Sequence, residues 1–81
     1  MATKTQVAKL AAKQGAEFIT GYTSTDEFYA EVILPQGLIW DNYYGDLGQI
    51  YQEKDRKETM AQFWDSIIAV IDSPVIAERT E

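Results

Sequence analysis

An apolar stripe near the C-terminus restricts this fold more than any other feature. Met60, Phe63, Trp64, Ile67, Ile68 and Ile71 recur at steps of three and four residues, the spacing that lines one face of an α-helix. Glu58, Gln62, Asp65 and Asp72 fall on the other side. Asp55, with Glu58 three residues on, has capping-box spacing, and Pro74 forces Ser73 out of the α region. The pattern predicts a helix over 56–72. Its apolar face must be covered by the rest of an 81-residue chain. Chains of this size bury only roughly 60% of their unfolded surface, so a few large side chains must carry the core.

A second helix is predicted over 4–14. Thr3 and Gln6 have capping-box spacing, Val7, Leu10 and Ala11 form a narrow stripe, and Gly15 suits the left-handed position after the last turn. Between the helices the period drops to two. Phe28, Ala30, Val32 and Leu34 alternate with Glu27, Tyr29, Glu31 and Ile33, which predicts a strand over 27–34 with one buried face. Ser24 and Glu27 also have capping-box spacing, so a short helix over 25–33 is the competing reading; the clean alternation favours the strand. A partner strand is expected at 16–22, joined by the Thr23–Asp26 turn. Leu34-Pro35-Gln36-Gly37 suits a type I turn leading to a third strand at 38–43. A short extended piece is expected around 49–52, and residues 75–81 are expected to form a tail.

These elements predict an α+β fold with two layers, α-β-β-β-α. A three-stranded antiparallel sheet carries the N- and C-terminal helices on one face, in a single domain over 1–81.

Composition narrows the chemistry. The chain has no His and no Cys, which removes disulfide frameworks, thiol chemistry and His-based catalysis or metal binding. Glycine-rich phosphate loops and nucleophile elbows are absent. Nothing in the spacing of the carboxylates selects a catalytic pair, so a non-enzymatic protein without cofactor or metal is expected. Asp41 to Asp46 superficially suggests a calcium loop, but Tyr43 and Gly45 stand where ligands are needed. No apolar run reaches membrane-spanning length, and the first residues lack the apolar core of a signal peptide, so a cytoplasmic protein without membrane contact is expected.

Charge is segregated. Thirteen Asp and Glu outnumber seven Lys and Arg, for a formal net charge of -6. From Gln14 to Glu53 there is no basic residue, while Glu17, Asp26, Glu27, Glu31, Asp41, Asp46 and Glu53 are acidic. The sheet region should therefore carry a field of one sign. α-β-β-β-α is also the order of double-stranded RNA-binding domains, in which a basic cluster opens the last helix. Here Lys54, Arg56 and Lys57 are interrupted by Glu53, Asp55 and Glu58, and a phosphate-tracking surface needs a net basic stripe. Nucleic acid is not the expected partner.

Aromatic residues interleave with the acids, and Tyr and Trp are the types that carry interface hot spots. Trp40 is expected in the core, with Tyr43 or Tyr44 turned outward, since adjacent strand residues face opposite ways. The candidate partner-binding set is Glu27, Tyr29, Glu31, Ile33, Asp41, Tyr43 and Tyr44. The expected partner is a protein, basic in character. A second expectation, carried by Tyr29 and Ile33 on one sheet face, is a structural protein that self-associates as a homodimer through that face. The plain alternative to both is a solvated acidic surface that keeps a small domain soluble.

Overall fold

The computed structural model describes residues 2–40 and 49–76. The elements in chain order are α1 (Lys4–Lys13), β1 (Glu17–Tyr22), β2 (Phe28–Ile33), β3 (Leu38–Trp40), β4 (Gln49–Glu53), α2 (Met60–Ile71) and β5 (Pro74–Ile76). Strands β1, β2 and β4 form a three-stranded antiparallel sheet in that order, and both helices pack on one of its faces. The predicted α+β class is the observed one.

Local chemistry accounts for each boundary of α1. The Thr3 hydroxyl accepts from the Gln6 N–H, and the Gln6 side chain accepts from the Thr3 N–H, closing the capping box. At the other end Ala16 donates to Ala11 O and Gly15 to Ala12 O, the paired bonds of a Schellman motif. That motif needs a left-handed residue, and Gly15 has φ +73°. The β1–β2 hairpin turns through Thr23–Asp26, with Asp26 at φ 65° and the Thr23 hydroxyl accepting from the Thr25 and Glu27 N–H groups. Residues 28–33 are strand, so the competing helical reading of 25–33 fails.

Three expectations are corrected. The third strand of the main sheet is β4, not 38–43. Leu38–Trp40 instead pairs with Pro74–Ile76 in a separate two-stranded sheet, and 41–43 lie outside the described residues. The turn before β3 is the cause. It spans Pro35–Leu38, one residue later than expected, with Gly37 at the positive φ of a type II turn. Type II turns splay the flanking strands instead of folding them back into a hairpin. Gln49–Glu53 takes the vacant place because Ile50 then continues the inner row Phe18–Val32–Ile50.

The second correction is the start of α2. Helix begins at Met60, where Thr59 and Gln62 form the capping box, and not at 56. At Asp55 and Glu58 only half of the box forms: the Glu58 side chain accepts from Asp55 N–H, but the Asp55 carboxylate accepts from Lys57 N–H and Glu58 N–H donates to the Asp55 carbonyl, closing an isolated turn. Two box patterns stand four residues apart, and the one directly before the apolar stripe nucleates the helix. Third, the tail expected at 75–81 contributes Val75 and Ile76 to β5, the rest lying outside the described residues.

The core lies between the helices and the inner sheet face. It contains Val7, Ala11, Ala30, Val32, Leu34, Trp40, Ile50, Phe63, Trp64, Ile67 and Ile71. Phe28 meets Phe63 and Trp64 edge-on, each at a centroid distance of 5.7 Å, and Phe18 meets Trp64 at 6.3 Å. Such pairs add about 0.5–1.5 kcal/mol each beyond the area they bury.

Candidate site on the outer sheet face

Side chains alternate across a strand, so the residues that do not face the helices form a second surface. The strand registers arrange it as three rows: Glu17–Ile33–Gln49, Ile19–Glu31–Tyr51 and Gly21–Tyr29–Glu53. Every one of these positions is half-exposed or exposed. No Lys or Arg stands on the face.

Tyr29 and Tyr51 are diagonal neighbours on adjacent strands and their rings stack, with centroids 5.1 Å apart and planes 19° from parallel. Gly21 makes room for this arrangement. A Cβ built there would lie 3.0 Å from the Tyr29 hydroxyl oxygen and 3.2 Å from its ring. Tyr29 thus covers a glycine on the edge strand, a stabilising device in sheets. Covering Gly21 accounts for Tyr29 but not for Tyr51, which remains 50% exposed.

Carboxylates surround the stack. The Tyr51 hydroxyl donates to Glu53 at 3.2 Å, and Gln49 Nε2 donates to Glu31 at 2.5 Å. Partial burial, then the Glu53 carboxylate, raises the Tyr51 phenol above its ordinary value. The Glu27 carboxyl is also raised, chiefly by sharing a hydrogen bond with Glu53 and by that group's charge. The Glu27 and Glu53 carboxyl groups are therefore in mutual contact at one end of the face, with the neutral Tyr51 phenol donating to Glu53.

That end meets the one basic stretch nearby. Glu27, Glu53, Lys54, Asp55, Arg56 and Lys57 line a surface hollow of about 480 Å³. On the helical layer, Gln6, Lys9, Leu10, Lys13, Asp65 and Ile68 line a groove of about 540 Å³ with charges of both signs. Both hollows mix charge signs, whereas the three rows of the outer sheet face carry acids and no base.

The structure brings Tyr29, Glu31 and Ile33 together on the outer face and sets Glu27 beside it. Asp41, Tyr43 and Tyr44 lie outside the described residues, as does the Asp41–Asp46 segment considered for calcium. Tyr51, Gln49, Glu53, Ile19 and Glu17 belong to the face but not to the sequence-derived set. The alternation Gln49-Ile50-Tyr51-Gln52-Glu53 was the available signal, masked by the shortness of the strand. Among the described residues, no group of three or more Asp and Glu has a metal-holding arrangement, and no helix is long and apolar enough to cross a membrane.

Comparison with protein-family models, with curated proteins and with solved structures gives no match.

Proposed function

We propose that this chain is a non-catalytic binding module that docks a basic protein segment on the outer face of its sheet. The observation that carries the reading is the half-exposed Tyr29–Tyr51 stack ringed by Glu27, Glu31 and Glu53. Stacked tyrosines offer a flat, rigid apolar platform with little entropy left to lose on binding. Carboxylates beside it attract Lys and Arg, and Arg guanidinium can also lie on the ring faces. Keeping several acids in contact costs the free protein some repulsion, which a cationic partner relieves.

The same geometry disfavours homodimerisation through this face. Glu31 sits at its centre, so a two-fold axis through the middle of the face would set each Glu31 against its own copy. Ile19 and Ile33 supply apolar area, but the charges oppose its burial.

The test is a titration of isotope-labelled protein with a short Arg- and Lys-rich peptide, beside an Asp- and Glu-rich peptide of equal length. The basic peptide should shift the amide signals of 17–21, 29–33 and 49–53. Tyr51→Ala should weaken its binding although no charge changes. Shifts centred on the helical groove instead, or full indifference to Tyr51→Ala, would refute the reading.

A further inference from the structure

Strand β1 ends the main sheet on one side, and its backbone phase can be read from the hairpin. Thr23 N–H donates to Glu27 O at 2.9 Å, so Thr23 and Glu27 form a hydrogen-bonded pair. By alternation Gly21 pairs in the same way with Tyr29, Ile19 with Glu31 and Glu17 with Ile33. On the far side of β2, Lys54 N–H donates to Phe28 O, which agrees with this phase. Phe18, Thr20 and Tyr22 consequently turn their N–H and C=O groups to the open side of β1. Among the described residues none of these groups has a backbone partner there.

Exposed edges are normally blunted by Lys, by Pro, by a bulge or by extreme shortness. β1 has none of these: Glu17-Phe18-Ile19-Thr20-Gly21-Tyr22 pairs with β2 without interruption over its whole length. At its end Tyr22 is 70% exposed although its ring already meets Phe28 edge-on at 5.4 Å.

We propose that β1 is a self-complementary edge that pairs antiparallel with β1 of a second copy about a two-fold axis at Thr20, joining two three-stranded sheets into one of six strands. The register follows from the residues. An axis at Thr20 sets Phe18 opposite the partner's Tyr22, Ile19 opposite the partner's Gly21 and Thr20 opposite the partner's Thr20. Aromatic and Thr–Thr cross-strand pairs are favourable, and no like charges meet, since Glu17 falls opposite the partner's Thr23. An axis at Ile19 uses as many residues but leaves Tyr22 opposite the partner's Ala16, with its ring uncovered. An axis at Phe18 or Tyr22 runs into the helix cap or the turn. Edge pairing leaves the acidic outer faces of both copies open and coplanar, so it is independent of what binds there.

Sedimentation equilibrium and cross-linking test this together. The wild-type chain should form dimers with a dissociation constant tighter than ~100 μM. Thr20→Pro removes an N–H that β2 does not use, so it should weaken dimerisation at least ~tenfold while the melting curve stays cooperative. Should that variant fail to fold, Thr20→Lys places two ammonium groups at the axis and should act likewise. In a chain without native cysteine, Thr20→Cys should oxidise to a cross-linked dimer far faster than the exposed control Thr3→Cys, because paired strand positions bring the Cα atoms to ~5.5 Å. A wild-type chain that stays monomeric at ~100 μM overturns the proposal. So does a dimer that Thr20→Pro and Thr20→Lys leave intact and Ile33→Lys breaks, or preferential cross-linking at Thr3.

Discussion

The two faces of the main sheet are built from similar residue types and put to different use. Phe18, Val32, Ile50, Ala30 and Phe28 look inward to Phe63, Trp64 and Ile67; Ile19, Ile33, Tyr29 and Tyr51 look outward with Glu17, Glu31 and Glu53 among them. Aromatic content therefore does not distinguish core from surface here. The difference lies in the neighbours. Inner rings meet other rings edge-on, and the polar members of the inner rows include Thr20 and Gln52, the latter bonded to Ser66 at 2.9 Å. Outer rings stack flat and touch carboxylates.

Removing one isoleucine from the helix that covers the inner face and one from the outer face should show the contrast most visibly. Ile67, fully buried, should cost about 2–5 kcal/mol as Ile67→Ala. For a domain of this size with ~5 kcal/mol in total, that unfolds much of the population. Ile33→Ala on the outer face should cost about 1 kcal/mol or less. Urea denaturation of the two variants reads the contrast directly, and equal losses would mean that the outer face is covered in solution.

A smaller effect is expected at Gly21. A methyl group there meets the Tyr29 ring, so Gly21→Ala should push that ring off its seat and disrupt the stack with Tyr51. Near-ultraviolet circular dichroism should lose tyrosine signal while stability changes by about 1 kcal/mol or less. An unaltered tyrosine signal would show that the stack does not depend on the glycine.

The smallest effect concerns protons. Glu27 has its folded value raised by Glu53 from the ordinary 4.5. A raised carboxyl favours its protonated form in the fold, so its stabilising contribution is complete below the ordinary value and lost as pH rises through the folded one. Glu27→Gln cannot ionise. Its melting temperature should therefore match wild type near pH ~4 and exceed it slightly at neutral pH. A variant less stable than wild type at neutral pH would mean that the Glu27–Glu53 contact is not repulsive there.

The legible and illegible parts of this fold separate along the same line as its faces. Inner-face features were readable because burial writes periodicity: the stripe from Phe63 to Ile71 and the alternation from Phe28 to Leu34 follow from spacing alone, although Met60 at the head of the stripe is exposed. The helix start is expected at the Asp55–Glu58 pattern, whereas the Thr59–Gln62 pair that abuts the stripe and caps the helix is overlooked in that reading. Strand pairing was not legible, because it turns on Gly37 sitting at the third position of its turn and not the fourth. With β4 unrecognised, Tyr51 could not be placed beside Tyr29. Of the seven candidate residues, Tyr29, Glu31 and Ile33 owe their shared face to simple alternation, whereas Glu27 comes near only through its contact with Glu53 across the end of the sheet.

On the proposed function, the acidic outer face, and not net charge alone, receives the partner. The most direct measurement compares two double reversals that change net charge equally, Glu27→Lys with Glu31→Lys at the sheet and Asp65→Lys with Asp72→Lys on the helical side. Association rates of a fluorescent Arg- and Lys-rich peptide would be followed from ~0.05 to ~0.5 M salt. The sheet reversals should slow association at least ~tenfold at the lowest salt and flatten its salt dependence, while the helical reversals should cost no more than about threefold. Equal slowing by the two pairs would contradict the account and reduce the acidic face to a device for solubility.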